Sequence, residues 1–340
     1  KTTALAATLG LMQASTALAA SPELIEAATK EGTVTWYTTM IVDQAVRPMV
    51  EAFEATYPGI SVEFSRAGGA DTALKVITEL QAGKASGDVF DSLSAYSAIR
   101  AADGVAPYLA DSAKALPETY HDPDGWWAAP NVYFLSAAYN TDLVSADEAP
   151  QSWEDLLDPK WTDQMVWSVV PQESGAPGLV GYVLMTMGED EGTAYLEKLA
   201  AQNITPMETS QRTVLDRVIL GEFPIGLMTY THHSPISAAK GAPVDWLRIE
   251  PVVASPNTVA LIKDSPHPNA GKLLIDFILS EEGQQILADA MYLPTNPAVT
   301  AQVPDLLPNG PKPFEFTFMS PDIVKDNLGH WIEVQKNLFD

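Results

Sequence analysis

Cysteine is absent from these 340 residues, which removes disulfides, thiol nucleophiles and thiolate metal sites at once. Positive charge is scarce: 19 Lys and Arg stand against 44 Asp and Glu, a formal net charge of −25. A surface of that sign repels phosphate backbones and anionic headgroups, so neither nucleic acid nor a membrane surface is an expected partner. Beyond the amino terminus, no apolar run approaches the ~20 residues that cross a bilayer. The signatures G-x-S-x-G, H-E-x-x-H and G-x-x-x-x-G-K-[ST] are missing too, so the usual nucleophilic, zinc and phosphate-cradling chemistries have no foothold. In "ESGAPG" a serine lies near a glycine turn, but nothing marks a paired base. No enzyme and no cofactor is expected.

What is present is enough apolar material, 46% of residues, for more than one core. The length exceeds the ~250–300 residues at which a single core stops growing, so two lobes are expected. The first stretch, "KTTALAATLGLMQASTALAASPE", has a basic start, an apolar centre and an A-x-A ending at Ala19. That pattern is the tail of a secretory signal, with the mature chain starting near Ala20.

Along the rest, β-rich runs alternate with amphipathic helices. "GTVTWYTTM" reads as a strand over Thr33–Tyr37, "ISVEFSRAGG" as a second and "GDVFD" as a short buried third, with helices between them. Such alternation predicts parallel βαβ units, whose ligands bind beyond the carboxyl ends of the strands. Those ends carry Thr38 and Thr39, Arg66, and Ser92 with Ser94. The centre holds a long aromatic strand segment (122–144) in which Pro130 marks a crossing. A strand, a polar loop with Ser174 and Gly175, and an apolar helix follow it. An amphipathic helix begins near Thr209, Ser210 and Arg212. A further strand, "PIGLMTY", then delivers Tyr230, His232 and His233, two of only five histidines. If that segment continues extended, the adjacent imidazoles point opposite ways, which disfavours chelation and leaves one of them for a cleft.

The order "EAATKEGTVTWYTT", "GDVFD", "LLDPKW", "GEFPIGLM" and "HPNAGKLLIDFILSEEGQQILAD" resembles the periplasmic solute-binding proteins of ABC importers (extracellular solute-binding family 1-like), and within them the ferric-iron-binding branch. The resemblance implies an α/β, two-lobed periplasmic binding protein fold of type II, with two crossing strands between the lobes. It implies a signal remnant over 1–19, a first lobe over 20–130, a second over 131–252, a return over 253–295, and a segment over 296–340 packing across both. It also implies a monomeric periplasmic carrier that hands its solute to an inner-membrane ABC permease. The iron ligands of that branch are not carried over. Ile41 and its neighbours include no His, Leu93 stands where the branch has its Glu, and the Tyr-Tyr pair falls on Thr231-His232. Hard Fe(III) prefers oxygen donors over imidazole, so no metal is expected, with iron transport the alternative.

The remaining candidates are mostly donors: Thr38, Thr39, Arg66, Ser92, Ser94, Asn131, Ser174, Gly175, Thr209, Arg212, Tyr230, His232 and His233. Helix starts near Ser174 and Ser210 offer free N–H groups and a positive dipole end. Together with two arginines that can fork onto an oxyanion, they predict a small organic anion of carboxylate, phosphonate or sugar-phosphate type. His232 is the preferred histidine; Trp126, Trp127 and Tyr133 are assigned to the core.

Overall fold

The computed structural model describes residues 20–339; the export-signal reading of residues 1–19 lies outside them. Helix α1 (Pro22–Glu31) is capped by Ser21 Oγ, which accepts from Leu24 N at 3.2 Å. It ends at Gly32 with φ 73°, and β1 (Thr33–Thr38) follows. Then come α2 (Arg47–Thr56), β2 (Ser61–Arg66), α3 (Gly69–Gln81), β3 (Val89–Asp91), α4 (Leu93–Ala101) and β4 (Val105–Ala106). Strand β1 lies parallel to both β2 and β3, the expected βαβ arrangement.

The long strand β5 (Ala128–Asn140) leads into β6 (Met165–Ser168), α5 (Ala176–Met187), α6 (Glu189–Ala200) and β7 (Thr205–Met207). After them come α7 (Gln211–Ile219), β8 (Ile225–Tyr230), α8 (His233–Ala238) and β9 (Val244–Trp246). The chain returns along β10 (Val252–Ile262) to α9 (Pro268–Leu279), α10 (Glu281–Asp289) and β11 (Leu293–Pro294), and ends with β12 (Phe316–Phe318) and α11 (Pro321–Phe339).

The strand order is β2-β1-β3-β10-β5-β8-β6-β7. Strands β10 and β5 therefore run between two smaller parallel groups, each with its own helices. They are the two crossing strands of the two-lobed periplasmic binding protein fold. They pair antiparallel, with a register shift between Asn257 and Val259, opposite the stretch from Asn131 to Ala128. Pro130 sits in that irregularity. A proline cannot donate to a ladder, and a bulge is where a central strand tolerates one.

Apolar side chains collect on both sides of this pair. One cluster joins Trp36, Met49, Phe53, Leu273 and Phe277, and another joins Trp153, Trp167, Tyr182, Leu196 and Trp331. Each such side chain contributes roughly 1.5–3 kcal/mol on burial. Helix α11 packs on both α4 and α5. Gly181 makes that contact close, since a Cβ there would stand 2.3 Å from the Trp331 ring. The stretch "SWEDLLDPKW", a turn-and-helix unit by its pattern, forms two short 3-10 turns, Glu154–Leu157 and Pro159–Trp161, separated by Asp158.

Candidate functional site

On one side of the crossing pair, strands β1 and β3 end in a tied network. Thr39 donates to Asp91 Oδ1 through both its N–H (2.9 Å) and its hydroxyl (2.7 Å). Met40 N donates to Thr38 Oγ1 at 3.1 Å, and Thr38 is wholly buried. Burial pushes the Asp91 carboxyl up, while donors from Thr38, Thr39 and Trp36 oppose the shift. Ser92 adopts φ 147°, a conformation that costs about 1–3 kcal/mol in a residue with a Cβ. Its N–H is held by Thr258 O at 2.8 Å, and its Oγ caps α4 at Ala95 N and meets Ser94 Oγ at 3.0 Å. The start of α3 presses on the same two serines. A Cβ at Gly69 would lie 2.2 Å from Ser94 Oγ and 2.7 Å from Ser92 Oγ. Arg66 is exposed and forms no ion pair with any described residue. Its charge is felt by the Tyr292 hydroxyl.

On the other side, Ser168 Oγ at the end of β6 donates to Thr209 O at 2.6 Å. The following loop turns back so sharply that a Cβ at Gly175 would lie 2.8 Å from Val170 O and 3.0 Å from Ser168 O. Helix α5 therefore starts on a glycine, with no side-chain cap and no acid in its first turn. Pro177 has no N–H, and Gly178 N and Leu179 N donate to Gly175 O at 3.0 and 3.2 Å, so of the first-turn N–H groups that of Ala176 is the one left for a ligand. Helix α7, by contrast, is capped: Ser210 Oγ accepts from Thr213 N at 3.3 Å. Gln172 Nε2 reaches Gln211 Oε1 at 3.4 Å, while the buried Gln211 Nε2 has no partner. Arg212 is committed to Asp216 at 2.8 Å and to Ser237 Oγ at 3.0 Å, so the fork expected for a ligand is already occupied by protein.

An aromatic cluster closes the space between the halves. Tyr133, from β5, lies 5.0 Å from Tyr230, 6.1 Å from Tyr292 and stacked at 5.7 Å on His232. Asn257 Nδ2 donates to Asn131 Oδ1 at 3.1 Å across the two crossing strands, leaving Asn131 Nδ2 buried and unpartnered. All three phenols are pushed up, chiefly by burial: Tyr230 and Tyr292 to about 12, and Tyr133 well above its usual value. They are neutral O–H groups at ordinary pH.

The two histidines depart from the expected geometry. The chain leaves β8 in a turn, His232 takes helical angles (φ −68°, ψ −21°), and His233 opens α8. The imidazoles therefore do not alternate across an extended strand. Their centroids are 4.3 Å apart, and both contact Tyr230. Burial, then the neighbouring His233, drives His232 well below its usual pKa, and burial, then Arg212, brings His233 to about 4. Both are neutral at pH 7.

Tyr133, Tyr292 and Glu173 face this region, Gln211 lies by the loop before α5, and the sequence pattern singled out none of them. Tyr133 reads as core because most of its strand is apolar. Tyr292 and Gln211 carry no local signal. Glu173 has one in hindsight, as the lone acid in the Gly/Pro loop before an apolar helix. Trp127 and Trp126 do belong to a core cluster, with Arg100 3.7 Å over the Trp126 ring.

Residues 89–327 match the family described as bacterial extracellular solute-binding protein. The chain belongs to that family. A periplasmic protein of Salmonella typhimurium, provisionally named as 2-aminoethylphosphonate-binding, is 27% identical over 251 residues, covering 71% of this chain and 72% of that one. Among solved structures, Trichodesmium IdiA (FutA) in complex with iron and citrate ligands superposes with a TM-score of 0.75 at 16% identity, over 90% of this chain and 99% of that one. AfuA from Actinobacillus pleuropneumoniae, with exogenous fructose-6-phosphate bound, gives 0.73 at 20% identity, over 91% and 98%. This solute-binding protein is thus a transport component that binds its cargo without transforming it, and serves an ABC permease. Among the described residues there is no group of three or more His, Asp or Glu placed to hold a metal ion.

Proposed function

We propose that the protein captures a small organic anion, carrying a carboxylate, phosphonate or phosphate, between its lobes in the periplasm and delivers it as a monomer to an inner-membrane permease. The observation that carries this is the uncapped, acid-free start of α5 beside the unpartnered Gln211 amide, with Asn131 Nδ2 unpartnered at the crossing and Arg66 unpaired across it. Buried donors without acceptors are costly, and an oxyanion would satisfy several together. Neutral Tyr and His groups add donors without charge. The named cargoes of the Salmonella protein and of AfuA, a phosphonate and a sugar phosphate, support the same class.

Thermal unfolding with 2-aminoethylphosphonate, fructose-6-phosphate and citrate, against neutral sugars, tests it. One anion class should stabilise by about 2.7 kcal/mol at a hundredfold excess over its Kd. Equal silence from all the anions would overturn the reading.

The trio Tyr133, Tyr230 and Tyr292 favours a second reading, ferric iron, because phenolates suit that ion. Burial opposes it by holding the phenols neutral. Titration with ferric citrate is expected to give no tyrosinate charge-transfer colour; a visible band lost in Tyr230→Phe would favour iron instead.

A further inference from the structure

Anion capture leaves one buried group without a role. Glu173 is 6% exposed, and its Oε2 is buried with no hydrogen-bond partner. No Lys, Arg or His among the described residues pairs with it. Its position is fixed by packing: a Cβ at Gly178 would stand 1.7 Å from Glu173 O, so its peptide is clamped against the first turn of α5. Its charge acts on the Tyr230 hydroxyl, which places it beside the aromatic cluster. A buried carboxylate without a cation is expensive. A glutamine or leucine would suit a purely structural role in this loop far better.

The surroundings match one kind of group. The faces of Tyr133 and Tyr230 attract a cation and repel an anion, so an oxyanion belongs at the α5 start and an ammonium belongs at the rings. We propose that Glu173 receives an ammonium group of the ligand, making the cargo a zwitterion: a small primary amine with a phosphonate, phosphate or carboxylate a few bonds away. This rests on the anion reading above and adds to it the second charge. Because Glu173 directly precedes Ser174 and Gly175, the two charges of the ligand are received by neighbouring residues of one loop, which favours short spacers.

Calorimetry on the full chain at pH 7.5 with matched probes tests it: 2-aminoethylphosphonate against ethylphosphonate, and β-alanine against propionate. In the parent protein the amine should raise affinity at least tenfold within one of the pairs. In Glu173→Gln that ratio should fall to near one while the amine-free probe keeps its affinity. Glu173→Asp, which retains the charge, should keep part of the preference. Equal affinity within both pairs in the parent overturns the assignment without any variant, as does a preference that survives in Glu173→Gln. If no probe of either pair binds while fructose-6-phosphate or citrate does, the anion reading stands and the zwitterion falls; if none of these anions binds, both fail.

Discussion

His233 and Glu173 are displaced from their ordinary pKa values in opposite directions, and their effects on stability oppose each other. His233 falls from 6.5 to about 4, and His232 is also well below its usual value, so between about 4 and 6.5 the unfolded chain holds protons that the folded chain lacks. Stability then rises with pH across that window and is lost as pH falls. Glu173 is raised from 4.5 to about 7 by burial, so the folded state holds the extra proton and stability declines as pH rises toward 7. The parent protein should show the difference of the two trends. Glu173→Gln removes the declining one, and its urea-unfolding free energy should climb more steeply from pH 4.5 to 6.5 than that of the parent. Parallel slopes would mean that Glu173 is not desolvated. The same neutrality limits what His232 gives a ligand. A neutral N–H donor is worth about 0.5–1.5 kcal/mol, so His232→Ala should weaken binding about three- to tenfold in calorimetry, with little pH dependence above pH 6. A loss near a hundredfold would require an imidazolium in the complex.

At the scale of elements, the decisive contacts are backbone approaches that only glycine permits. Gly69 lets the first turn of α3 touch Ser92 and Ser94, and Gly175 lets the loop after β6 fold onto its own carbonyls. Gly69→Ala should push the start of α3 away from α4 or displace the Ser92 hydroxyl that caps α4, and so should weaken ligand affinity at some cost in stability. Calorimetry beside thermal unfolding separates the two effects, and unchanged affinity would place the α3 start outside the site. These elements also show where the sequence was legible. Strands β1, β2 and β8 and helices α3 and α7 follow from apolar runs, hydrophobic period and caps; β2 and the two helices have one buried face, whereas β8 is buried on both. Strands β7 and β9 have three residues each, too short for any period to show. Helix α8 hides behind a Ser-Pro pair that reads as a break, so the pattern alone predicts extended histidines. The strand-end positions of the candidate donors are legible because parallel strands send their carboxyl ends to one edge. Gln211, Tyr292 and Glu173 were not, since their meeting depends on loops returning from distant parts of the chain. Arg212 was overread: an i,i+4 acid, Asp216, takes its guanidinium.

For the whole molecule, the two groups of parallel strands communicate through β5, β10 and α11. We propose β5 and β10 as the hinge, with the lobe changes near residues 130 and 252. The register shift at Pro130 and the Asn131–Asn257 pair mark where the ladder is weakest and most specific. Helix α11 limits the motion, because it packs on α4 from one side and α5 from the other. Trp331, 2% exposed against Gly181, anchors the α5 side. Removing a buried indole costs roughly 3–5 kcal/mol, so Trp331→Ala should lower the urea midpoint sharply. The residues proposed to contact ligand lie elsewhere, so its affinity under native conditions should stay near that of the parent. Closure itself is read by small-angle scattering: the radius of gyration should fall when a stabilising anion is added, and by the same or a larger amount in Trp331→Ala, where the strap is loosened. An unchanged radius at saturating ligand in both proteins would show that the lobes do not close. A contraction confined to the parent would mean that α11 transmits closure and does not restrain it.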